Sequence, residues 1–397
     1  MIKSISFTNF FSFSSQTVAL RDVNVLVGIN GSGKTNFLKA FQVLRAVVAE
    51  GELSRLIVDR WGGFDAVCFA APSQSKPQIV IEYEFDPVVL GRYGYKFQEP
   101  VFYRIKFRKM GSTQNYYVCE SLYTKNPDGK PRYVYLKMNN GRGYVREGKT
   151  DDQQRVEYTF ENASESILTQ LVDKDRFYQI HTLREALRDI MVYTGFDTTA
   201  PSAIRKPSLP GSVQKLATDG VNLAQLINAI KINSKTDYSR LVKSFVNINP
   251  MIKGFDFNFI GNNIELLLDE RGLERSVHAS NISDGTLKFL CLLAVFCNRK
   301  RGGLVCIDEP ESGLHPDMIS ELMEMLGETS DQTQYVLATH SPHLLDCVSV
   351  DKVLVFEKNE SNNSGVNSFQ SLQYVEWASQ YSTGTLWREG DLGGNRY

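Results

Sequence analysis

The sequence predicts an α/β protein in which a mixed sheet carries a glycine-rich loop, beside an antiparallel β lobe and an inserted helical subdomain. Three observations predict this class. An apolar strand, a glycine-rich turn and an amphipathic helix follow one another near the N-terminus. Alternating apolar and polar segments occupy residues 79–160, and two more apolar strands, each ending in polar residues, lie beyond residue 300. Strands and helices mixed in this way build layered α/β folds.

The composition is typical of a soluble protein. The chain has 397 residues, 44 basic and 45 acidic side chains and a formal net charge of −1, so no strong overall basic field favours nucleic acid. Its six cysteines include no C-x-x-C pair, which indicates the reduced thiols of a cytosolic protein. The N-terminus has no long apolar segment, and the longest apolar run, Phe289–Cys297, is too short to span a bilayer. We expect a cytoplasmic protein with no membrane partner.

The first predicted element of the mixed sheet is the strand Val23–Val27, which leads into the segment GINGSGKT. This segment matches G-x-x-x-x-G-K-[ST] without a mismatch, and a helix with one apolar face follows it. Glycines let main-chain N–H groups turn toward phosphate oxygens, Lys34 can reach the β- and γ-phosphates, and Thr35 can offer its hydroxyl to Mg²⁺. The alternative is a glycine-rich turn that happens to precede a helix. The predicted nucleotide ligands in the loop are Gly28, Asn30, Gly31, Ser32, Gly33, Lys34 and Thr35.

A second informative strand, Leu304–Ile307, ends in Asp308 and Glu309. An apolar run of this length is typical of a buried parallel strand, and the carboxyl ends of such strands form the ligand-binding edge of an open α/β sheet. Asp308 is suited to hold Mg²⁺ through water, and Glu309 is suited to orient or deprotonate an attacking water. The alternative is a strand that ends in a solvated acidic turn.

A third apolar strand, Tyr335–Ala338, is followed by Thr-His-Ser-Pro and a helix. We expect this strand to lie beside the strand that carries Asp308. His340 would then reach the same edge of the sheet and contact the γ-phosphate. The alternative is an ordinary polar residue after a strand.

The segment ISDGTLKFLCLLAVFC predicts a buried helix that starts at Ser283 or Asp284. Both residue types cap helices by accepting hydrogen bonds from free first-turn amides. The same amides can hold a phosphate, because helix N-termini bind anions. The segment alone leaves both interpretations open for Ser283, Asp284 and Gly285.

In their order along the chain, these motifs resemble those of ABC-type ATPase heads, and more narrowly the RecF/SMC/OLD-like ATPases. The resemblance covers residues 1–40 and 276–397, through the segments FTNFFSF, VNVLVGINGSGKTNFLKAF, ISDGTLKFL, IDEPESGLHP, ATHSPHLL and GTLWREGDLGG. Between them the likeness is only architectural. It implies an ABC-type ATPase head that binds ATP and Mg²⁺, with Asn36 among the nucleotide ligands. It also implies a homodimer or higher homo-oligomer in which Ser283, Asp284 and Gly285 contact the nucleotide of a second protomer.

The chain departs from that group at three places. Phe10-Phe11-Ser12 stands where the group often has a basic residue, so a basic contact to the nucleotide is not implied there. Gln74 and Gln78 are the candidates for the glutamine that such heads place near the nucleotide, with ordinary surface residues as the alternative. His315 stands where a carboxylate is common, and a surface turn is the simpler interpretation.

The middle of the chain predicts two further parts. Residues 79–160 contain strands separated by Gly, Pro and Asn turns, and residues 165–249 have a helical pattern. A proline-rich segment, residues 198–212, interrupts the helical part, and we expect it to be a mobile loop. A hairpin, KGFDFNFIGNNIELLLDE, then leads back to the core. The predicted parts are an N-terminal ATPase lobe (1–160), a helical insertion (161–250) and a C-terminal ATPase lobe (251–397), with no heptad run long enough for a coiled-coil arm.

One predicted strand has a basic face. In YRIKFRK, Arg104, Lys106 and Arg108 alternate with apolar residues, and this face can contact DNA or RNA phosphates. A face turned to solvent is the simpler interpretation.

The resemblance also implies a function. Fewer than sixty residues follow His340, too few for the nuclease domain of OLD-type proteins, so we expect any nuclease or toxin activity in a separate effector protein. Standalone members of the group resemble ATPase components of bacterial phage-defence modules. The leading hypothesis is therefore an ATP-dependent sensor and switch that controls such an effector. A RecF-like DNA repair ATPase is the alternative, and a transporter ATPase subunit is a remote one.

Overall fold

The structure, a computed structural model, describes residues 1–69, 77–148, 154–368 and 381–393. The glutamine candidate Gln74 lies outside these ranges. The strands in the described ranges are β1 (Ile2–Phe10), β2 (Phe13–Ala19), β3 (Val23–Val27), β4 (Gln78–Phe85), β5 (Val101–Lys109), β6 (Tyr116–Lys125), β7 (Pro131–Asn139), β8 (Arg142–Glu147), β9 (Gln154–Thr159), β10 (Ile190–Tyr193), β11 (Ile252–Ile260), β12 (Asn263–Glu270), β13 (Val277–His278), β14 (Leu304–Asp308), β15 (Gln334–Ala338), β16 (Val353–Lys358) and β17 (Ser364–Ser368).

Helices connect and cover these strands. They are α1 (Lys34–Ala46), α2 (Glu52–Ser54), α3 (Phe64–Val67), α4 (Pro87–Leu90), α5 (Ile167–Gln170), α6 (Tyr178–Arg188), α7 (Leu223–Asn233), α8 (Lys235–Ile248), α9 (Asp284–Cys297), α10 (Pro316–Thr329), α11 (Pro342–Asp346) and α12 (Thr383–Glu389). In the part of the chain that the structure describes, no helix combines the length and the apolar character needed to cross a membrane.

The central sheet has six strands in the order β10-β14-β15-β3-β16-β17. The first five are parallel, and β17 runs antiparallel to β16. Alternate residues of β3 pack into different apolar clusters, Leu26 on the side of α1 and Val25 on the side of α9, so the strand is buried on both faces. The strands predicted before the glycine-rich loop, before Asp308-Glu309 and before His340 are confirmed to within one residue as β3, β14 and β15. The predicted pairing of β15 with β14 is also confirmed. Their carboxyl ends therefore meet at one edge of the sheet.

A second sheet of eight strands, in the order β2-β1-β4-β5-β6-β7-β8-β9, forms the predicted antiparallel lobe. The alternation predicted for β5 is confirmed, because its odd-numbered residues from Val101 to Phe107 are buried. On the outer face, Arg104 is paired with Glu82 of β4, which also pairs with Lys125. Part of the basic face is thus neutralised within the sheet.

The segment LREALRDIMVY, whose pattern predicted helix throughout, divides in two. Helix α6 ends at Arg188, and Ile190–Tyr193 is an edge strand that pairs with β14 in parallel. The helical prediction was wrong for these four residues. At the junction, the Asp189 carboxylate accepts hydrogen bonds from Tyr93 Oη and Gly303 N, each 2.7 Å long. A run of four apolar residues buried on both faces has no periodicity that separates strand from helix.

The proline-rich segment, residues 198–212, is anchored rather than free, contrary to the expectation of a mobile loop. Ser208 and Ile264 exchange two main-chain hydrogen bonds of 2.9 and 2.8 Å. Ile204 and Arg205 are buried. The main-chain bonds of Ser208 therefore fix the segment to the predicted hairpin. This hairpin is confirmed as β11–β12 and forms a separate three-stranded sheet with β13.

Candidate nucleotide-binding site

The loop between β3 and α1 has a backbone that requires glycine. Gly28 has φ of +154°, and a Cβ atom there would lie 2.4 Å from Phe356 O. Gly33 has φ of +112°, and its Cβ would lie 2.5 Å from Ser364 Oγ. Any side chain at either position would collide with its neighbours in a conformation that L-residues avoid. The loop therefore turns tightly and leads directly into the first turn of α1.

Lys34, the first residue of α1, extends back along the loop. Its Nζ donates to Gly28 O at 2.7 Å and to Ile29 O at 3.1 Å. Burial lowers the pKa of Lys34 to about 8, although Asp308 and Glu309 act in the opposite direction. A buried ammonium with main-chain partners gains charge stabilisation from any anion that enters the loop.

Thr35 and Asp308 bring two kinds of oxygen together at the edge of the sheet. Thr35 Oγ1 donates to Asp308 Oδ2 at 3.2 Å. Burial raises the pKa of Asp308, and the Thr35 bond and Lys34 oppose that shift. A carboxylate and a hydroxyl are ligands that Mg²⁺ accepts, so this pair fits the ion that phosphate-loop proteins use.

Glu309 and His340 face one another beside this pair. His340 Nε2 lies 3.8 Å from Glu309 Oε1. Burial, followed by the charge of Lys34, lowers the pKa of His340, which favours the neutral imidazole. Glu309 has φ of +46°, and its N–H donates to Ala338 O at 2.9 Å. A non-glycine residue in this region stores strain of roughly 1–3 kcal/mol, and the bond to β15 is one of the contacts that hold it there.

Two residues that sequence reasoning did not assign hold these loops in place. Glu311 Oε1 accepts bonds from Thr339 Oγ1 at 2.7 Å and from His340 N at 2.9 Å. Lys288 Nζ donates to Glu309 O at 3.2 Å and to Ser312 O at 2.7 Å. Both lie inside recognised motif segments, but their roles depend on partners from other loops, so the sequence pattern gives no signal for them.

These side chains surround one cavity of about 370 Å³. Gly28 and Ser32 are buried and do not line the cavity, and the Ser32 hydroxyl lies beside Gly28. Asn36 lines it and donates to Ser12 Oγ at 3.1 Å. The residues that line the cavity are Asn30, Gly31, Gly33, Lys34, Thr35, Asn36, Asp308, Glu309 and His340.

The segment at the start of α9 lies away from this cavity within the same chain. Ser283 caps α9, where its Oγ accepts from Thr286 N at 3.3 Å. Ser283 and Asp284 are exposed. Gly285 packs closely on the loop after β14, since a Cβ at this position would lie 2.7 Å from Gly313 O. Ser283 and Asp284 thus lie at the surface, Gly285 is half-buried, and none of the three lines the cavity that contains Lys34 of their own chain.

The three departures noted in the sequence occupy defined places. Phe11 packs under Lys39, whose Nζ is 3.8 Å from the centre of the ring, so α1 brings a cation to this position. Gln78 begins β4 in the antiparallel sheet and does not line the cavity. His315 caps α10 and accepts from Asp317 N at 3.4 Å, as a surface turn predicts.

Two solved structures have a similar fold. A crystal structure of an SmcHead bound to the C-winged helix domain of ScpA has 13% identity and a TM-score of 0.57, with coverage of 94% of this chain and 99% of that one. A second, the Smc head domain with an extended coiled coil bound to the C-terminal domain of ScpA derived from Pyrococcus furiosus, has 13% identity and a TM-score of 0.53, with coverage of 96% and 99%. At such identities the likeness shows the fold.

No curated protein sequence matches the chain at a significant level. A family model does match it, over residues 23–346, and its description is "AAA domain, putative AbiEii toxin, Type IV TA system". These residues make up most of the chain. The protein therefore belongs to this family of AAA domains and has the α/β fold of an SMC head domain.

Proposed function

We propose that this protein binds ATP with Mg²⁺ and hydrolyses it to ADP and phosphate. The observation that carries the proposal is the convergence of Lys34, Thr35, Asp308, Glu309 and His340 on one cavity. Lys34 and the main-chain N–H groups of the loop would hold the phosphates, and Thr35 and Asp308 would hold Mg²⁺. When bound, Mg²⁺ supplies a Lewis acid that neutralises charge on the phosphoryl oxygens.

Glu309 is suited to act as the general base. Its carboxylate is 54% exposed and opens to the cavity. In the proposed step Glu309 accepts a proton from water as the water oxygen bonds to the γ-phosphorus, and the bond from that phosphorus to the β-phosphate oxygen breaks. The neutral form of His340, which burial favours by lowering its pKa, has one N–H that can donate to a γ-phosphate oxygen. A positioned base of this kind accelerates hydrolysis by roughly 10²–10⁴-fold.

We further propose that two copies share each ATP. The support is the position of Ser283, exposed at the start of a 14-residue helix and away from the cavity of its own chain. A helix N-terminus stabilises an anion through free N–H groups and the helix dipole. In a homodimer, Ser283, Asp284 and Gly285 of one copy would meet the γ-phosphate held by Lys34 of the other. Hydrolysis would then loosen the pair, which makes a nucleotide-driven switch.

The biological role we propose is that of the ATP-dependent regulator of a separate effector, a nuclease or toxin, in bacterial anti-phage defence. The family description, with its toxin–antitoxin system, supports this role. A RecF-like role at DNA is the second candidate, supported by the basic side chains of Lys106 and Arg108 on the outer face of β5.

The ATPase proposal is tested with Glu309→Gln. The variant should bind ATP with wild-type affinity and turn it over far more slowly, as measured by phosphate release and equilibrium binding. The biological role is tested by affinity purification from the native host, where recovery of an effector supports regulation and recovery of DNA-repair proteins supports the alternative.

A further inference from the structure

One buried guanidinium holds the backbone that precedes α9. The side chain of Arg205 is only 5% exposed. Its Nε donates to Thr198 O at 2.8 Å, and its Nη1 donates to Ala279 O at 2.8 Å and Ile282 O at 2.6 Å. Its Nη2 pairs with the carboxylate of Asp284. Arg205 therefore links the anchored proline-rich segment to the residues just before α9 and to the first residue of α9.

The chemistry of the guanidinium suits this task. It is planar, remains protonated and presents five donors in a fixed fork, so one side chain can satisfy several acceptors at once. A lysine would keep the charge but could not span carbonyls that diverge in this way. The bonds to Ala279 and Ile282 fix the path of the chain into Ser283, the residue that caps α9.

The pairing with Asp284 also has an electrostatic consequence. Asp284 is the first residue of α9, and its carboxylate is 64% exposed beside Ser283. An unpaired carboxylate there would repel a phosphate that approaches the same free N–H groups. Arg205 neutralises this charge and holds the carboxylate to one side, so the helix start keeps its affinity for anions.

The segment that carries Arg205 begins shortly after β10, which pairs with β14, the strand that ends in Asp308. The same short stretch of chain thus connects the edge of the nucleotide-binding sheet to the start of α9.

We propose that Arg205 is the positioning residue for the Ser283 helix start: it fixes residues 279–284 and neutralises Asp284, so that this surface accepts the γ-phosphate of ATP held by a second copy. The inference rests on the proposed sharing of ATP between two copies. It identifies why an acidic residue can stand at a surface that has to receive an anion.

The experiment compares ATP binding in one copy with ATP-driven pairing of two copies. Arg205→Met, Arg205→Lys and the double variant Arg205→Met/Asp284→Asn are made in a Glu309→Gln background, which holds ATP unhydrolysed. Labelled ATP titrated into dilute protein measures affinity in the single copy, and analytical ultracentrifugation with ATP and Mg²⁺ measures the dimer dissociation constant. Thermal unfolding reports whether each variant is folded.

Arg205→Met should bind ATP within about twofold of the parent, while its dimer should weaken by roughly tenfold or more, the loss expected for one charged hydrogen bond. The dimer dissociation constant of Arg205→Lys should lie between those of the parent and Arg205→Met. The double variant should recover part of the lost pairing, since the unneutralised carboxylate is gone. A purely structural role for Arg205 predicts no recovery, and an Arg205→Met dimer as tight as the parent overturns the inference.

Two further variants separate the possible failures. Ser283→Arg tests the sharing of ATP itself. If the Ser283→Arg variant forms dimers normally with ATP, the proposed sharing of ATP fails together with the inference. If Ser283→Arg blocks pairing and folded Arg205→Met does not change it, only the role of Arg205 fails. If Arg205→Met does not fold, the inference is tested with ATP-driven dimerisation of the single variant Asp284→Asn. Pairing equal to or tighter than the parent supports the inference, and pairing lost as completely as in Ser283→Arg refutes it.

Discussion

ATP affinity should fall as the pH rises above about 8, because the free protein then loses the ammonium that the phosphates require. Burial lowers the pKa of Lys34 from its ordinary value of 10.5 to about 8. Bound phosphate oxygens stabilise the charged form and raise the pKa again. The complex therefore holds more protons than the free protein, so a rise in pH opposes binding. Well above pH 8, affinity should fall by about tenfold for each pH unit.

The same pKa shift predicts an opposite effect on folding, which makes the test specific. Between pH 8 and 10.5 the unfolded chain holds more protons at Lys34 than the folded chain does, so this residue makes the folded protein more stable as pH rises. Alkaline unfolding through Lys34 thus cannot account for a loss of ATP affinity in this range.

Calorimetry between pH 7.5 and 9.5, in buffers of different ionisation enthalpy, measures both affinity and proton uptake. At pH 8.5 binding should take up about three-quarters of a proton, the fraction of Lys34 that is neutral when its pKa is 8. Lys34→Arg is the matched control, because arginine stays charged throughout and its binding should show no such uptake. Flat affinity and no uptake in the parent protein would refute the assignment of Lys34 as a buried phosphate ligand.

Four other outcomes are expected. Glu309→Gln should retain ATP binding and lower the rate of phosphate release by roughly 10²–10⁴-fold, and wild-type turnover in this variant would contradict its role as the base. Asp308→Asn should weaken the dependence of ATP binding on Mg²⁺, measured by titration of the ion, while binding without Mg²⁺ stays near the parent level. A mixture of Ser283→Arg and Lys34→Ala proteins, each inactive alone, should regain phosphate release through the one undamaged shared site, and confirmed mixed dimers without activity would count against sharing. Purified protein with ATP and Mg²⁺ or Mn²⁺ should leave DNA and tRNA intact, whereas cleavage that is lost on substitution outside the ATP motifs would show an intrinsic nuclease.

The sequence predicted the fold well where residues that are adjacent in the chain determine the local structure. The glycine pattern after Val27 specifies a tight turn, and the apolar runs before Asp308 and His340 have the length and burial of central strands. Parallel pairing of these strands then brings Thr35, Asp308, Glu309 and His340 together.

Predictions from the sequence were wrong or incomplete where the role of a residue depends on a partner far along the chain. Ile190–Tyr193 is a strand because β14 lies beside it, and no local pattern records that neighbour. Arg205 was assigned to a mobile loop, although its acceptors include the carboxylate of Asp284, 79 positions away. Glu311 was overlooked for the same reason, since its partners Thr339 and His340 come from another loop.

The backbone of Glu309 exposes a conflict between folding and chemistry. Glycine would adopt φ of +46° with little strain, whereas Glu309 stores a backbone strain energy of roughly 1–3 kcal/mol. The protein thus retains a carboxylate at the position where its fold would be better served by having no side chain at all. Selection for stability alone would remove this residue, so its presence at the end of β14 records a requirement that lies outside folding.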